Sequence, residues 1–164
     1  MHPFSLDKAD TAFDIKISSK IGMISSKIGM RLPLMAGAGG KALLCQLTEE
    51  EIDNILKATA LKPFTRKTST DRKVFKKNVL KIREDGIAFD DEEYIEGIVA
   101  FALPLKTCRH DLQAAIWAAG LKQQVDAQAV PRISAFLKKI AADVNLRLSG
   151  AQVADERPVN CNFN

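Results

Sequence analysis

The residues of this chain best suited to holding a ligand lie in one run, Arg31–Leu47, which reads RLPLMAGAGGKALLCQL. Its centre, Gly37-Ala38-Gly39-Gly40-Lys41, places three glycines in four positions. Glycine loses more backbone freedom on ordering than any other residue, so such a cluster is useful where the chain must bend sharply or approach something closely. Ala42, Leu43, Leu44 and Leu47 then recur at helical spacing, which predicts a helix starting at the glycines. The first N–H groups of a helix have no intrahelical partner, and the positive end of its dipole points out of them. A carboxylate or phosphate is favoured there. The same residues also suit a tight turn with close helix packing, and spacing alone leaves both readings open.

Other chemistries fit less well. Gly37-x-Gly39-x-x-Ala42 satisfies the permissive dinucleotide fingerprint, but the preceding RLPLM carries Pro33 and no βαβ unit follows. A phosphate-binding loop fails at both ends, with Met35 at its first glycine position and Ala42 at its Ser/Thr position. Cys108 and His110 stand close together in an expected turn without a third group to orient them. Cys45 is expected inside the glycine helix, past its first turn, where the dipole does little to lower a thiol pKa. His2 and His110 are the only histidines, and the three cysteines, Cys45, Cys108 and Cys161, lack C-x-x-C spacing. No catalytic residue, metal site or cofactor is expected, and a reduced, cytoplasmic setting suits the cysteines.

At 164 residues, 46% hydrophobic and 27% charged, the chain has the composition of one globular domain with a substantial core. No apolar run reaches membrane-spanning length, so no membrane association is expected. The net charge of +4 is unevenly spread. Lys57 to Arg83 holds ten Lys/Arg and one acid, Asp71, whereas Glu84 to Glu96 holds seven acids and no base. Without interleaved aromatic residues, the basic run reads as a solvated face rather than a nucleic-acid contact.

The elements that must position the glycine run follow from periodicity. Phe13, Ile15 and Ile17 alternate with Asp14 and Lys16 as a half-buried strand, after a short tail. ISSKIGM occurs at Ile17–Met23 and again at Ile24–Met30, too short a unit for a solenoid. Thr48-Glu49-Glu50-Glu51 is a capping box opening a helix with Ile52, Ile55, Leu56 and Thr59 inward. Leu61–Thr70 is a polar loop. A longer helix then runs from about Asp71, with Phe75, Val79 and Ile82 inward and Gly86 as its cap. A strand beginning at Ile87–Asp90, an acidic turn at Asp91–Glu96 and a strand at Gly97–Leu105 come next. Thr107–Asp111 turns the chain, Leu112–Ala119 returns as a second apolar strand, and Gly120–Gln124 is a loop. A last helix spans about Asp126 to Arg147, with Ile133, Leu137, Ile140 and Val144 inward, Pro131 near its start and Gly150 after its end. An apolar hairpin of this kind needs helices on at least one face.

Laid out in this order, the segments KIGMRLPLMAGAGGKALLCQLTEEE, FTRKTSTDRKVFKKNVLKIREDGIAFDDEEYIEGIVAFALPL and LQAAIWAAG resemble the effector-binding domain of IclR-family transcription regulators. The family pattern G-x-R-x-P-L-h-x-t/s-a/g-x-G-K-a-L-L-A is matched from Gly29 to Cys45. A second pattern, i-R-x-x-G-y-a-x-d-x-E-E-x-x-x-G-v-x-x-i-A-x-P-i, is matched from Ile82 to Leu105. The resemblance covers roughly Phe13 to Gly150. It implies an α/β (α+β) fold with a GAF- or profilin-like antiparallel sheet and helices on its faces. The corresponding domain is expected at residues 12–150, followed by a polar tail at 151–164. It further implies a small organic acid effector, homo-oligomerisation as dimer or tetramer, and operator DNA contacted through an N-terminal winged helix-turn-helix. No such segment precedes Ala12, and the first helix and strand of the usual domain are not recognised either, so the sequence reads as a fragment or a truncated form.

By motif position the resemblance places an effector carboxylate on the backbone of Ala38 and Gly39, and a polar ligand contact at Asp90. The residues alone would make Asp90 a solvated turn residue. Ala100, Trp117 and Ala119 match wall positions that carry Cys or Ser in some relatives, so those polar contacts are lost here, while Trp117 adds an aromatic face and one N–H donor. Plain core packing is the alternative for Trp117. Ile21 and Ile24 are expected to close the apolar side. The many alanines of the two strands either leave a hollow or let a helix dock closely. A ligand-free oligomerisation or interaction module with a vestigial pocket is the competing function.

Overall fold

The computed structural model describes residues 32–107 and 112–148. The chain divides into two units, Met1–Pro33 and Leu34–Asn164, and every element below belongs to the second. The expected strand at residues 12–17, the ISSKIGM pair, Ile21, Ile24, the 108–111 turn with Cys108 and His110, and the chain after Leu148 lie outside the described residues.

Helix α1, Gly37–Leu44, begins at the glycines as expected. It ends sooner than the apolar spacing suggested, so Cys45 is its C-terminal cap rather than an interior residue. Helix α2, Glu49–Ala58, opens with the capping box, Thr48 accepting from the Glu51 amide and the Glu51 carboxylate accepting from the Thr48 amide. Helix α3, Arg72–Asp85, starts on the Asp71 side chain, which accepts from the Val74 amide at 2.8 Å, and stops at Gly86 in the left-handed region. Its stripe of Phe75, Val79 and Ile82 is buried.

Strands β1, Ala88–Asp91, β2, Ile98–Leu105, and β3, Ala114–Leu121, form one antiparallel sheet in the order β1-β2-β3. β3 runs two residues later than its apolar run suggested. Ile98 of β2 pairs with Leu121 and Val99 pairs with Gly120, so β2 carries the ladder through the glycine expected to break it. A short 3-10 turn, Lys122–Gln124, follows. β2 is buried from Ile98 to Leu103, whereas β3 is half-buried throughout, so the expected hairpin buried on both sides is realised in one strand only. Helix α4, Ala129–Leu148, starts one turn after Asp126, whose carboxylate accepts from the Ala129 amide at 2.6 Å.

Alternation sorts the sheet into two faces. Ala88, Ala100 and Ala102, with Ala115, Trp117 and Ala119 at their margin, pack with Ala38, Ala42, Ile52, Phe75 and Val79 of α1–α3. Phe101 and Leu103, with Phe89, Ile116 and Ala118, pack against Leu137 and Ala141 of α4. Ile133 and Ile140 are only partly buried there, and Ala141, absent from the expected inward stripe, is buried. The architecture is thus the expected α+β sheet with helices on its faces.

The basic run is a largely solvated face, as expected: Lys76 alone of its ten bases is part-buried and the other nine are exposed, some of them with partners as well. Lys76 pairs with Asp53 and Glu49 of α2, at 2.8 and 3.3 Å. Arg83 donates to the carbonyls of Cys45 and Leu47, tying α3 to the chain just past α1.

Candidate functional site

The three glycines at the start of α1 serve three different purposes. Gly37 has φ +73°, and a Cβ there would stand 3.0 Å from Asp90 Oδ2 and 3.4 Å from Tyr94 Cβ. A Cβ on Gly40 would lie 2.2 Å from the backbone oxygen of Leu34, so α1 rests directly on the preceding turn. A Cβ on Gly39 would meet nothing within 4 Å. The close-packing reading therefore holds for Gly37 and Gly40, while a side chain at Gly39 would point into open space. No side chain caps this helix start, and Ala36, in the capping position, has none to offer.

Strand register brings the expected wall residues together. Asp90, Ala100 and Ala119 are direct cross-strand neighbours in one row, and Ala88, Ala102 and Trp117 form the next row on the same face. Ala38 and Ala100 are 1% and 2% exposed, inside the core under α1, while Trp117 and Ala119 lie at its half-open margin on β3. The β2 alanines thus serve close helix docking, and only the β3 side retains room. Ile21 and Ile24 fall outside the described residues.

Asp90 is not a solvated turn residue. It is 4% exposed, and its Oδ1 accepts from the Glu93 amide at 2.6 Å. Burial raises its pKa from the ordinary carboxylate value to about 6; the Glu93 amide works against that shift, the Glu93 charge adds to it, and Lys41 opposes it. The same turn holds residues that motif reasoning passed over. Lys41, also 4% exposed, pairs with Glu93 at 2.5 Å across 52 residues of sequence. The available signal was a lysine within the apolar run of α1, since lysine is almost never fully buried unless paired.

A strap from the Leu61–Thr70 loop fixes the acidic turn. Thr65 Oγ1 donates to the Glu92 carbonyl at 2.7 Å, Thr68 Oγ1 to the Glu93 carbonyl at 2.6 Å, and Phe64 meets the Tyr94 ring edge-on. Glu92 is held at φ 64°, a left-handed conformation unusual for a residue with a side chain. Its carboxylate accepts from Lys67 and from the Gly97 amide, which keep it ionised below the usual carboxylate range. Lys122, then Lys67, do the same for Asp91.

Elsewhere, Cys45 is buried with its thiol pushed up to about 11 by desolvation, against an opposing effect of Arg83. It is a poor nucleophile. Among the described residues no group of His, Cys, Asp and Glu is placed to hold a metal ion, and no helix is long and apolar enough to cross a membrane.

The Asp90 shift has a direct stability consequence. A carboxyl whose pKa rises on folding stabilises the fold fully below its unfolded value near 3.8, and that contribution is lost as pH rises through about 6. Asp90→Asn retains an acceptor for the Glu93 amide and is expected to be more stable than wild type at pH 8, by up to about 2–3 kcal/mol. The advantage should disappear near pH 4. Urea unfolding at both pH values measures it, and equal stability at pH 8 would mean that the buried carboxylate costs the fold nothing.

Comparison with known proteins places this geometry. Residues 11–146 match the family model described as bacterial transcriptional regulator IclR C-terminal. The transcriptional repressor IclR of Escherichia coli (strain K12) is 31% identical over 127 residues, covering 77% of this chain and 46% of the repressor. The crystal structure of the Thermotoga maritima IclR superposes with a TM-score of 0.70 at 30% identity, covering 76% of this chain and 51% of that one. The inducer-binding domain of the PobR transcription factor from Acinetobacter, solved as a double mutant in complex with 3-hydroxybenzoic acid, gives a TM-score of 0.66 at 26% identity, covering 73% of this chain and 69% of that one. The chain spans about a third to a half of the length of the curated relatives it matches. The named relatives are transcriptional regulators and repressors rather than enzymes. The matched fold, its two sequence motifs and their spacing agree, and the chain belongs to the family of IclR-type bacterial transcriptional regulator C-terminal domains.

Proposed function

We propose that this domain binds a small organic acid as the effector of a transcription regulator. Binding is coupled to operator recognition by a winged helix-turn-helix segment of the complete regulator and takes place in a homo-oligomer. The observation that carries the reading is the row Asp90–Ala100–Ala119 lying beside a glycine helix start that no side chain caps and where the Cβ direction of Gly39 is open. Successive N–H groups there suit a carboxylate. Trp117 and the half-buried alanines of β3 offer an apolar wall for the rest of the molecule. The 3-hydroxybenzoic acid in the PobR complex is an acid of this class.

A thermal-shift panel of acetate, glycolate, benzoate and 3-hydroxybenzoate tests the reading, because a ligand that binds only the folded state raises Tm with its concentration. Calorimetry on the best acid should show Gly39→Val weakening binding about tenfold or more, with Trp117→Ala weakening planar acids selectively. Undiminished affinity in folded Gly39→Val would move the carboxylate elsewhere. A panel without any shift would favour the ligand-free oligomerisation module.

A further inference from the structure

The charge around Asp90 does not balance. Its own turn supplies Asp91, Glu92, Glu93 and Tyr94, helix α1 supplies Lys41, the strap supplies Lys67 and the 3-10 turn after β3 supplies Lys122. β2 sets the uncharged Ala100 opposite it. Lys67 and Lys122 are engaged by Asp91 and Glu92. One ammonium, Lys41, is therefore left for two carboxylates: Glu93, its ion-pair partner, and Asp90. Lys41 and Asp90 are each 4% exposed, so water screens this imbalance poorly. Oδ1 of Asp90 accepts from the Glu93 amide, the Tyr94 amide also bonds the carboxylate, and Oδ2 lies against Gly37 at the start of α1. An acid held at that helix start would bring a third carboxylate against a single ammonium.

We propose that the domain takes up its acid together with one proton, which resides on Oδ2 of Asp90. This inference rests on the acid-binding reading above. The proton comes from solvent: the Asp90 carboxylate becomes a carboxylic acid, total charge in the site is unchanged on binding, and the new O–H donates to an oxygen of the ligand. The ligand class follows, because Asp90 as a donor suits acids that present a carboxylate or carbonyl oxygen to it. The buried carboxyl already holds its proton up to about pH 6, so little further bias is needed near neutrality. The regulator then responds jointly to the acid and to acidity.

The test uses whichever of acetate, glycolate, benzoate and 3-hydroxybenzoate stabilises the protein most, titrated calorimetrically from pH 5.5 to 8 in two buffers of different ionisation enthalpy. Kd is expected to rise with pH above 6, approaching tenfold per pH unit, with close to one proton taken up at pH 8. Asp90→Asn, whose amide is a permanent donor, should bind at pH 8 about as tightly as wild type does near pH 6, with little pH dependence. Binding that is flat with pH and takes up no proton overturns the proposal and leaves acid binding intact. A pH slope retained in Asp90→Asn also overturns it, since the proton would then travel on the ligand or on Glu93. If none of the acids binds at either end of the range, the acid-binding reading falls and takes this inference with it. Should Asp90→Asn fail to fold, the wild-type proton count decides alone.

Discussion

Gly40→Ala is expected to cost the domain about 3 kcal/mol or more, a large share of the ~5–15 kcal/mol that holds a domain of this size together. The added methyl would stand 2.2 Å from the Leu34 carbonyl oxygen, and that atom belongs to backbone, so no side-chain rotation relieves the clash. Either α1 lifts from the turn or the turn opens, and both disturb the layer in which Ala38 and Ala42 meet Ala88, Ala100 and Ala102. Gly39→Ala, one residue earlier, is the internal control. Its methyl meets nothing within 4 Å, and alanine is the better helix former, so it should be neutral or stabilising by up to about 1 kcal/mol. Urea unfolding of the two variants measures the difference. Similar destabilisation by both would show that the glycines matter for chain flexibility rather than for contact.

That contrast also marks how far the sequence can be read. α2, α3 and the start of α1 were legible because their signals are local: a capping box four residues long, an Asp cap, a stripe at helical spacing and a glycine stop. The α+β layering and the wall rows followed from the two long motifs. Within the GAGGK run, however, the glycines are interchangeable on the page. Only the path of Leu34, Asp90 and Tyr94 past the helix gives each its separate reason. The later start and end of β3 were illegible for a related cause, since the ladder with β2 fixes register through pairs from Leu105–Ala114 out to Ile98–Leu121 and overrides the local breaker at Gly120. Asp90 looked like one more acid in a turn because burial is set by what packs over it, here α1, the strap and the Lys41–Glu93 pair. The basic run was legible as a solvated face, with nine of its ten bases exposed; the partners that Lys67, Lys76 and Arg83 also find were not, because folding brings them close.

Lys41→Met is expected to cost about 3–5 kcal/mol at pH 8, the usual range for removing one partner of a buried ion pair. Methionine fills the space of the lysine stem, so the loss would come from charge: Glu93 and Asp90 would remain as two carboxylates without their shared cation. Asp90 would then lose the Lys41 charge that opposes its raised pKa and hold its proton to still higher pH in the folded state. A carboxyl raised on folding stabilises below its unfolded pKa and loses that contribution as pH rises through its folded value, which for Asp90 already lies near 6 with Lys41 present. The penalty should therefore be greatest at pH 8 and shrink toward pH 5 by at least about 1 kcal/mol, the equivalent of most of one pKa unit. Adding Glu93→Gln to Lys41→Met should recover much of the loss at pH 8, because the surviving carboxylate no longer faces a second negative charge. Urea denaturation of wild type, both single variants and the double variant at pH 5 and pH 8 completes the cycle. An equal loss at both pH values, with no recovery in the double variant, would assign the contribution of Lys41 to packing of its stem against α1 and the acidic turn and leave its ammonium without an energetic role.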